Sequence, residues 1–134
     1  MGDISTKATK KVSGPTWDTL RPKFDEIVES LLSVAPSVHA DLVTIYIKFT
    51  LSAEPISRVY AVMWVKSSKR CVVGLALPEE DLPDALEPAP KGMVYKGLTG
   101  YFSVEPSDAV PASLTDWAER AYQFVVSQQE AKDV

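Results

Sequence analysis

The feature that most constrains this chain is a tight succession of apolar segments at residues 42–51, 59–66 and 71–78, separated by only a few residues. A parallel crossover needs about a dozen residues or more, so neighbouring segments here can meet only as antiparallel hairpins. In LVTIYIKFTL, Val43, Ile45, Ile47, Phe49 and Leu51 alternate with Thr44, Tyr46, Lys48 and Thr50. That period of two predicts one half-buried strand. SAEPIS (52–57) supplies a turn, VYAVMWVK a second strand, SSKR a second turn and CVVGLALP a third strand. Pro78 cannot donate to a ladder and marks the end of the third. The second and third segments are apolar on both faces, which places them centrally.

Helical periodicity brackets this β region. Leu20, Phe24, Ile27, Val28, Leu31 and Leu32 form one stripe, with Asp25, Glu26 and Glu29 opposite. Asp18 or Thr19 is placed to cap the helix, with Pro22 in its first turn, and Ala35-Pro36 ends it. Leu114, Trp117, Ala118, Ala121, Tyr122 and Val125 form the stripe of a closing helix. Ser113 and Asp116 resemble a capping box at its start. Between strands and closing helix lies a proline-rich acidic connection, PEEDLPDALEPAPKG (78–92), with one helical turn expected at 79–86, and then MVYKGLTGYFSVE, a last strand region kinked at Gly97 and Gly100.

The expected architecture is α+β: an antiparallel curved sheet of about four or five strands, in the order α-β-β-β-loop-β-α, with the N- and C-terminal helices packed on one face. That covered face takes Val43, Ile45, Ile47, Phe49, Val59, Met63, Val65 and, at the far strand, Cys71, Val73, Leu75 and Leu77. Residues 1–14 read as a disordered tail, 15–129 as one domain and 130–134 as a frayed end. With 134 residues, 46% of them apolar and 24% charged, the chain can bury a core without disulfides or a structural metal.

Composition narrows the chemistry. The net charge of −4 gives no general attraction to nucleic acid or to anionic membranes. Cys71 is the only cysteine, which suits a reducing, cytoplasmic setting, and no segment has the length of a membrane span. MGDIST matches the loose N-myristoylation pattern, although a polar tail explains it as well. His39 is the only histidine, so with Cys71 it cannot complete a zinc site, and no metal or cofactor is expected. His39 reads as an exposed loop residue and Cys71 as a small hydrophobe in a strand, with Arg70 beside it the one group that could activate the thiol. The glycines open no phosphate loop, and the acidic connection lacks calcium-loop spacing.

The opposite sheet face stands out. Alternation gives it Tyr46, Lys48, Tyr60, Val62, Trp64, Lys66, Val72 and Ala76. A solvated face should be polar, and this one is aromatic and apolar with lysines at its margin. Three covers are consistent with it: the chain's own 78–98 segment, a second copy of the chain, or a ligand. The candidate binding residues are Tyr46, Lys48, Tyr60, Trp64, Lys66, Tyr95 and Lys96, suited to a homodimer contact or to a small anionic ligand or peptide. No catalytic residue is assigned.

Several of these motifs together resemble the bacterial domain-of-unknown-function family 5655: Leu20-Arg21-Pro22, the strand from Val62 to the turn at Arg70, Gly74 to Pro78, and Trp117 with Ala121-Tyr122. The fold also looks similar to the YdhG-like domains of family 1801. The resemblance spans residues 15–127 and implies a curved sheet with helices on one face. It implies no activity, and where many members carry a histidine before the last strand this chain has Thr99-Gly100-Tyr101. The functional expectation is a non-catalytic binding module using the aromatic and lysine face. The alternative is a small enzyme with a Tyr/Lys-lined pocket acting on an anionic small molecule.

Overall fold

A computed structural model describes residues 2–53 and 56–132, with the backbone alone at 52, 53, 56, 57 and 129–132. The centre of the expected 52–57 turn therefore lies outside the described residues, as do the last two residues of the expected frayed end. The elements are β1 (Asp3–Ile4), α1 (Thr6–Lys11), α2 (Arg21–Leu32), β2 (Val38–Val43), β3 (Tyr46–Ala53), β4 (Ile56–Ser67), β5 (Arg70–Leu75), β6 (Gly100–Val104) and α3 (Leu114–Lys132). The fold is α+β. The six strands form one sheet in sequence order, with only the β1–β2 pair parallel.

The helical stripes place the main core. Leu20, Phe24, Ile27, Val28, Leu31 and Leu32 bury against the sheet together with Leu114, Trp117, Ala118, Ala121 and Val125 of α3. The strands meet them with Ala40, Ile47, Phe49, Leu51, Ala61, Met63, Val65, Cys71, Val73 and Leu75. The N-terminus of α2 is Leu20, without a side-chain cap, so neither Asp18 nor Thr19 serves that role; Pro22 sits in the first turn as expected.

Three departures from the sequence reading have identifiable causes. The expected tail is built into the sheet: Asp3 and Ile4 pair with His39 and Ala40, and the Gly2 N–H donates to the Leu32 carbonyl at 2.8 Å. A Cβ at Gly2 would stand 2.3 Å from the Val38 carbonyl oxygen, so glycine here answers to packing. Ser5 caps α1 by accepting from the Ala8 N–H at 3.2 Å, and Ala8 and Val12 are buried.

Second, the segment read as one strand over 42–51 is a hairpin. β2 and β3 are joined at Thr44–Ile45, with Thr44 at a φ of 52°. Alternation runs through the turn without glycine, proline or asparagine to announce it, so Val43 and Ile45 fall at the bend, half-buried, instead of on the helix-covered face.

Third, β4 carries a bulge. Phe49 faces Ala61 and Thr50 faces Val59, leaving Tyr60 unpaired on β3. An extra residue reverses the alternation before it. Tyr60 and Ala61 thus both enter the main core, while Val59 moves to the other face and packs against the second cluster. The Tyr60 hydroxyl donates to the Leu31 carbonyl in the last turn of α2, and its ring stands between those of Phe49 at 6.5 Å and Tyr122 at 6.1 Å.

Candidate functional site

The second sheet face carries its own small core. Val62, Trp64, Val72, Met93 and Tyr101 are buried together, with Tyr46, Val59, Ala89, Tyr95 and Leu98 packed around them. The cover is the chain's own 87–98 segment. Glu87 and Tyr101 exchange both backbone hydrogen bonds at 2.8 Å, and the Tyr95 N–H donates to the Tyr101 hydroxyl at 3.2 Å. Thr99 ties the segment's end to β5 and the chain just after it, its N–H donating to the Leu75 carbonyl at 3.0 Å and its hydroxyl donating to the Leu77 carbonyl at 2.6 Å and accepting from the Leu77 N–H at 3.1 Å. Gly74 makes room: a Cβ there would lie 2.6 Å from the Tyr101 ring and 2.9 Å from Leu98.

This cover decides the placing of the candidate residues. Tyr60 is not on this face at all, because the bulge turns it into the main core. Ala76, also assigned to this face, belongs to the main core. Trp64 is on the face but only 4% exposed, beneath Tyr46 (ring centroids 6.0 Å apart) and beside Tyr101 (5.9 Å). It is no open contact residue. The other five frame the uncovered margin: Tyr46, Lys48 and Tyr95 are half-buried, and Lys66 and Lys96 are exposed. The Tyr46 and Tyr95 rings meet edge-on at 5.8 Å, forming an aromatic ledge between β3 and the covering loop. The Lys66 ammonium lies over the turn at Gly92, 3.7 Å from where a Cβ would be. Val94, next to Tyr95, is 78% exposed, the only large hydrophobic so placed among the described residues.

Charge at this margin is mainly positive, with Asp41 on β2 directly opposite Lys48. Ion pairs among the described residues join Arg21 to Asp25 and Arg120 to Asp81, and neither these nor the His39–Asp3 hydrogen bond engages Lys48, Lys66 or Lys96. The phenols are kept neutral: burial, reinforced by Tyr46, raises Tyr95, and burial raises Tyr101 against the opposing bond from the Tyr95 amide. Burial pushes the Cys71 thiol up to about 12, which leaves it protonated and inert despite its neighbour Arg70. His39 is exposed, with Nδ1 hydrogen-bonded to Asp3 across the β1–β2 pair. The Ser5 hydroxyl holds the Asp41 carboxyl below its usual range, and the same carboxylate accepts from the Leu42 N–H at the sheet edge. Among the described residues no group of three His, Cys, Asp or Glu side chains converges as a metal site. No described helix is long and apolar enough to cross a membrane.

Two surface depressions also lie among the described residues. One, of about 230 Å³, opens where β6 meets the covering loop and is lined by Arg70, Glu87, Pro88, Pro90, Tyr101, Phe102 and Ser103. The sequence reading missed it, because no local pattern announces a bridge between Glu87 and Tyr101. The other is a shallow groove beside α3 between Pro78, Asp81, Arg120 and Phe124. No protein-family model, curated protein or solved structure matches this chain.

Proposed function

We propose that this chain is a non-catalytic interaction module that binds an anionic partner at the lysine-rimmed margin of its second sheet face. The observation that carries the reading is the incomplete cover. The 87–98 segment buries the centre of the face yet leaves the Tyr46–Tyr95 ledge half-exposed, flanked by Lys48, Lys66 and Lys96, which make no ion pair among the described residues. Amphipathic rings beside unpaired cations suit a carboxylate-rich peptide, whose acidic groups meet the lysines while its apolar groups lie on the ledge. The protein's net negative charge restricts such attraction to this locality and disfavours long nucleic acids.

The rival reading, a small enzyme using these tyrosines and lysines, has no observation in its favour. Burial raises the Tyr95 phenol, which keeps it protonated and unsuited to act as a base. A homodimer through this face loses most of its apolar driving force once Trp64, Val62 and Val72 are covered internally. The likeness to family 5655 belongs to the same proposal and speaks to fold alone, since Leu20, Gly74, Trp117 and Ala121 are packing residues. One cysteine, buried as a thiol, fits a cytoplasmic protein.

The test is calorimetric titration with a synthetic Asp/Glu-rich peptide bearing one aromatic residue, at low and high salt. The expected result is saturable binding that weakens with salt and is lost in the Lys48→Glu, Lys66→Glu, Lys96→Glu variant but retained in a Lys10→Glu, Lys11→Glu control. Equal binding by both variants would remove the proposal.

A further inference from the structure

A separate feature lies at the far edge of the sheet. β6 is the last strand, and its outer edge is only partly closed. Tyr101 spends both its N–H and its C=O on Glu87, outward from β5. Hydrogen-bonding direction alternates along an antiparallel strand. Phe102 therefore points its polar groups inward to Val73, while Ser103, opposite Val72, points its N–H and C=O outward like Tyr101. Among the described residues neither group of Ser103 has a hydrogen-bond partner. The next outward amide, that of Glu105, is occupied by the Asp108 carboxylate at 2.8 Å.

The reason the chain does not close its own edge is on the page. Continued antiparallel pairing would set residue 85 opposite Ser103, but the backbone turns there, with the Leu86 N–H donating to the Pro83 carbonyl at 3.1 Å. On the other side of Glu87 the chain runs into Pro88 and Pro90, and proline has no N–H to offer a ladder. What remains beside Ser103 is the cleft of about 230 Å³, bounded by Pro88, Pro90 and Phe102, with Arg70 and Glu87 both in its lining and no ion pair between them. Arg70 is exposed and makes no ion pair among the described residues.

We infer that this edge accepts an extended peptide by strand addition. One peptide residue exchanges both backbone hydrogen bonds with Ser103, and its own acidic side chain, on the face that Ser103 shares with Val72 and Arg70, enters the cleft to meet the Arg70 guanidinium. Main-chain pairing supplies affinity, and the Arg70 cleft supplies the preference for a carboxylate. The site is at the β6 edge, whereas the lysine margin takes in Lys48 of β3, Lys66 of β4 and Lys96 of the covering loop. A small anion bound by Arg70 alone is the competing outcome.

The experiment uses the whole chain and capped pentapeptides, acetyl-Thr-Val-X-Val-Thr-amide with X as Glu, Gln, Leu or Lys, followed by amide NMR. The Glu peptide is expected to bind most tightly, to move the Ser103 amide proton downfield and to protect it from exchange. Single N-methylation along that peptide should weaken binding about threefold to tenfold at the one residue that pairs with Ser103 and hardly at all elsewhere, because the outward groups of Tyr101 and Glu105 are already bonded. Arg70→Gln should erase the advantage of Glu over Gln while keeping the sensitivity to N-methylation at that single position. Ser103→Pro removes the outward donor at an edge position that tolerates proline, and should abolish the response. Should that variant unfold, the N-methyl series on the unaltered protein still decides. Absence of saturable binding by every peptide, a uniform N-methyl effect, or equal binding by free glutamate would each overturn the inference. So would loss of binding in Lys48→Glu, which belongs to the other margin.

Discussion

Replacing Tyr60 by phenylalanine isolates one hydrogen bond on which the join between sheet and helix depends. The Tyr60 hydroxyl reaches the Leu31 carbonyl, one of the last-turn carbonyls of α2 that have no partner within their own helix. Both groups are buried, and Tyr60 is fully enclosed. The phenyl ring would keep its contacts with Phe49 and Tyr122, so no cavity term enters. The cost is an orphaned buried acceptor, about 1–3 kcal/mol. In urea, that lowers the midpoint by roughly 0.5–2 M with an unchanged slope. The pH dependence gives a second reading. Burial, with Tyr122 and Glu119 adding to it, raises the Tyr60 phenol far above its ordinary value of 10.0. A raised folded-state value means the contribution is complete below the unfolded-state value and is lost as pH rises beyond it. The wild type should therefore shed up to about 1.4 kcal/mol per pH unit above about pH 10 through this residue, and Tyr60→Phe should not. The gap between the two proteins narrows in alkali. Equal stability at neutral pH, or a gap that does not change in alkali, would refute the placing of Tyr60 in the helix-side core.

Other outcomes follow from the same packing. Trp117, 6% exposed and 6.0 Å from the Phe102 ring, should cost about 3–5 kcal/mol as Trp117→Ala, read as a shifted urea midpoint. Gly74→Ala drives a Cβ into the Tyr101 ring, so it should destabilise by about 1–3 kcal/mol and shift Trp64 fluorescence to the red as the cover loosens. An unchanged spectrum would show that Trp64 is not under that cover. Cys71, fully buried with its thiol raised to about 12, should react with a thiol reagent only as fast as the protein opens, whereas immediate stoichiometric labelling would contradict its burial.

The sequence announced its helices more clearly than its sheet. The stripe from Leu20 to Leu32 and that from Leu114 to Val125 bury as their spacing predicts, because an apolar stripe on a helix has few ways to hide. β5 and the C-terminal part of β4 also appear where two-faced apolar runs predict central strands. The errors come from places where one residue resets the count. The Thr44–Ile45 turn preserves alternation while reversing the chain, and the bulge at Tyr60 changes the face of everything before it. A period of two carries no mark of either event. The N-terminal segment was missed for a different reason. Ala8 and Val12 are too few to make a pattern, and their burial depends on the β2 edge that receives Asp3 and Ile4. Of the candidate binding residues, Tyr46, Lys48, Lys66, Tyr95 and Lys96 remain accessible. Trp64 lost its access to a cover whose backbone bridge, Glu87 to Tyr101, depends on the whole fold.

The most direct test of the central claim is an amide NMR titration of the full chain with the acidic, single-aromatic peptide. The account predicts shifts concentrated at Tyr46, Lys48, Lys66, Tyr95 and Lys96, fading with added salt. Shifts spread instead over the lysines of α1, or a spectrum unchanged at saturating peptide, would contradict the proposal that this margin is the protein's binding surface.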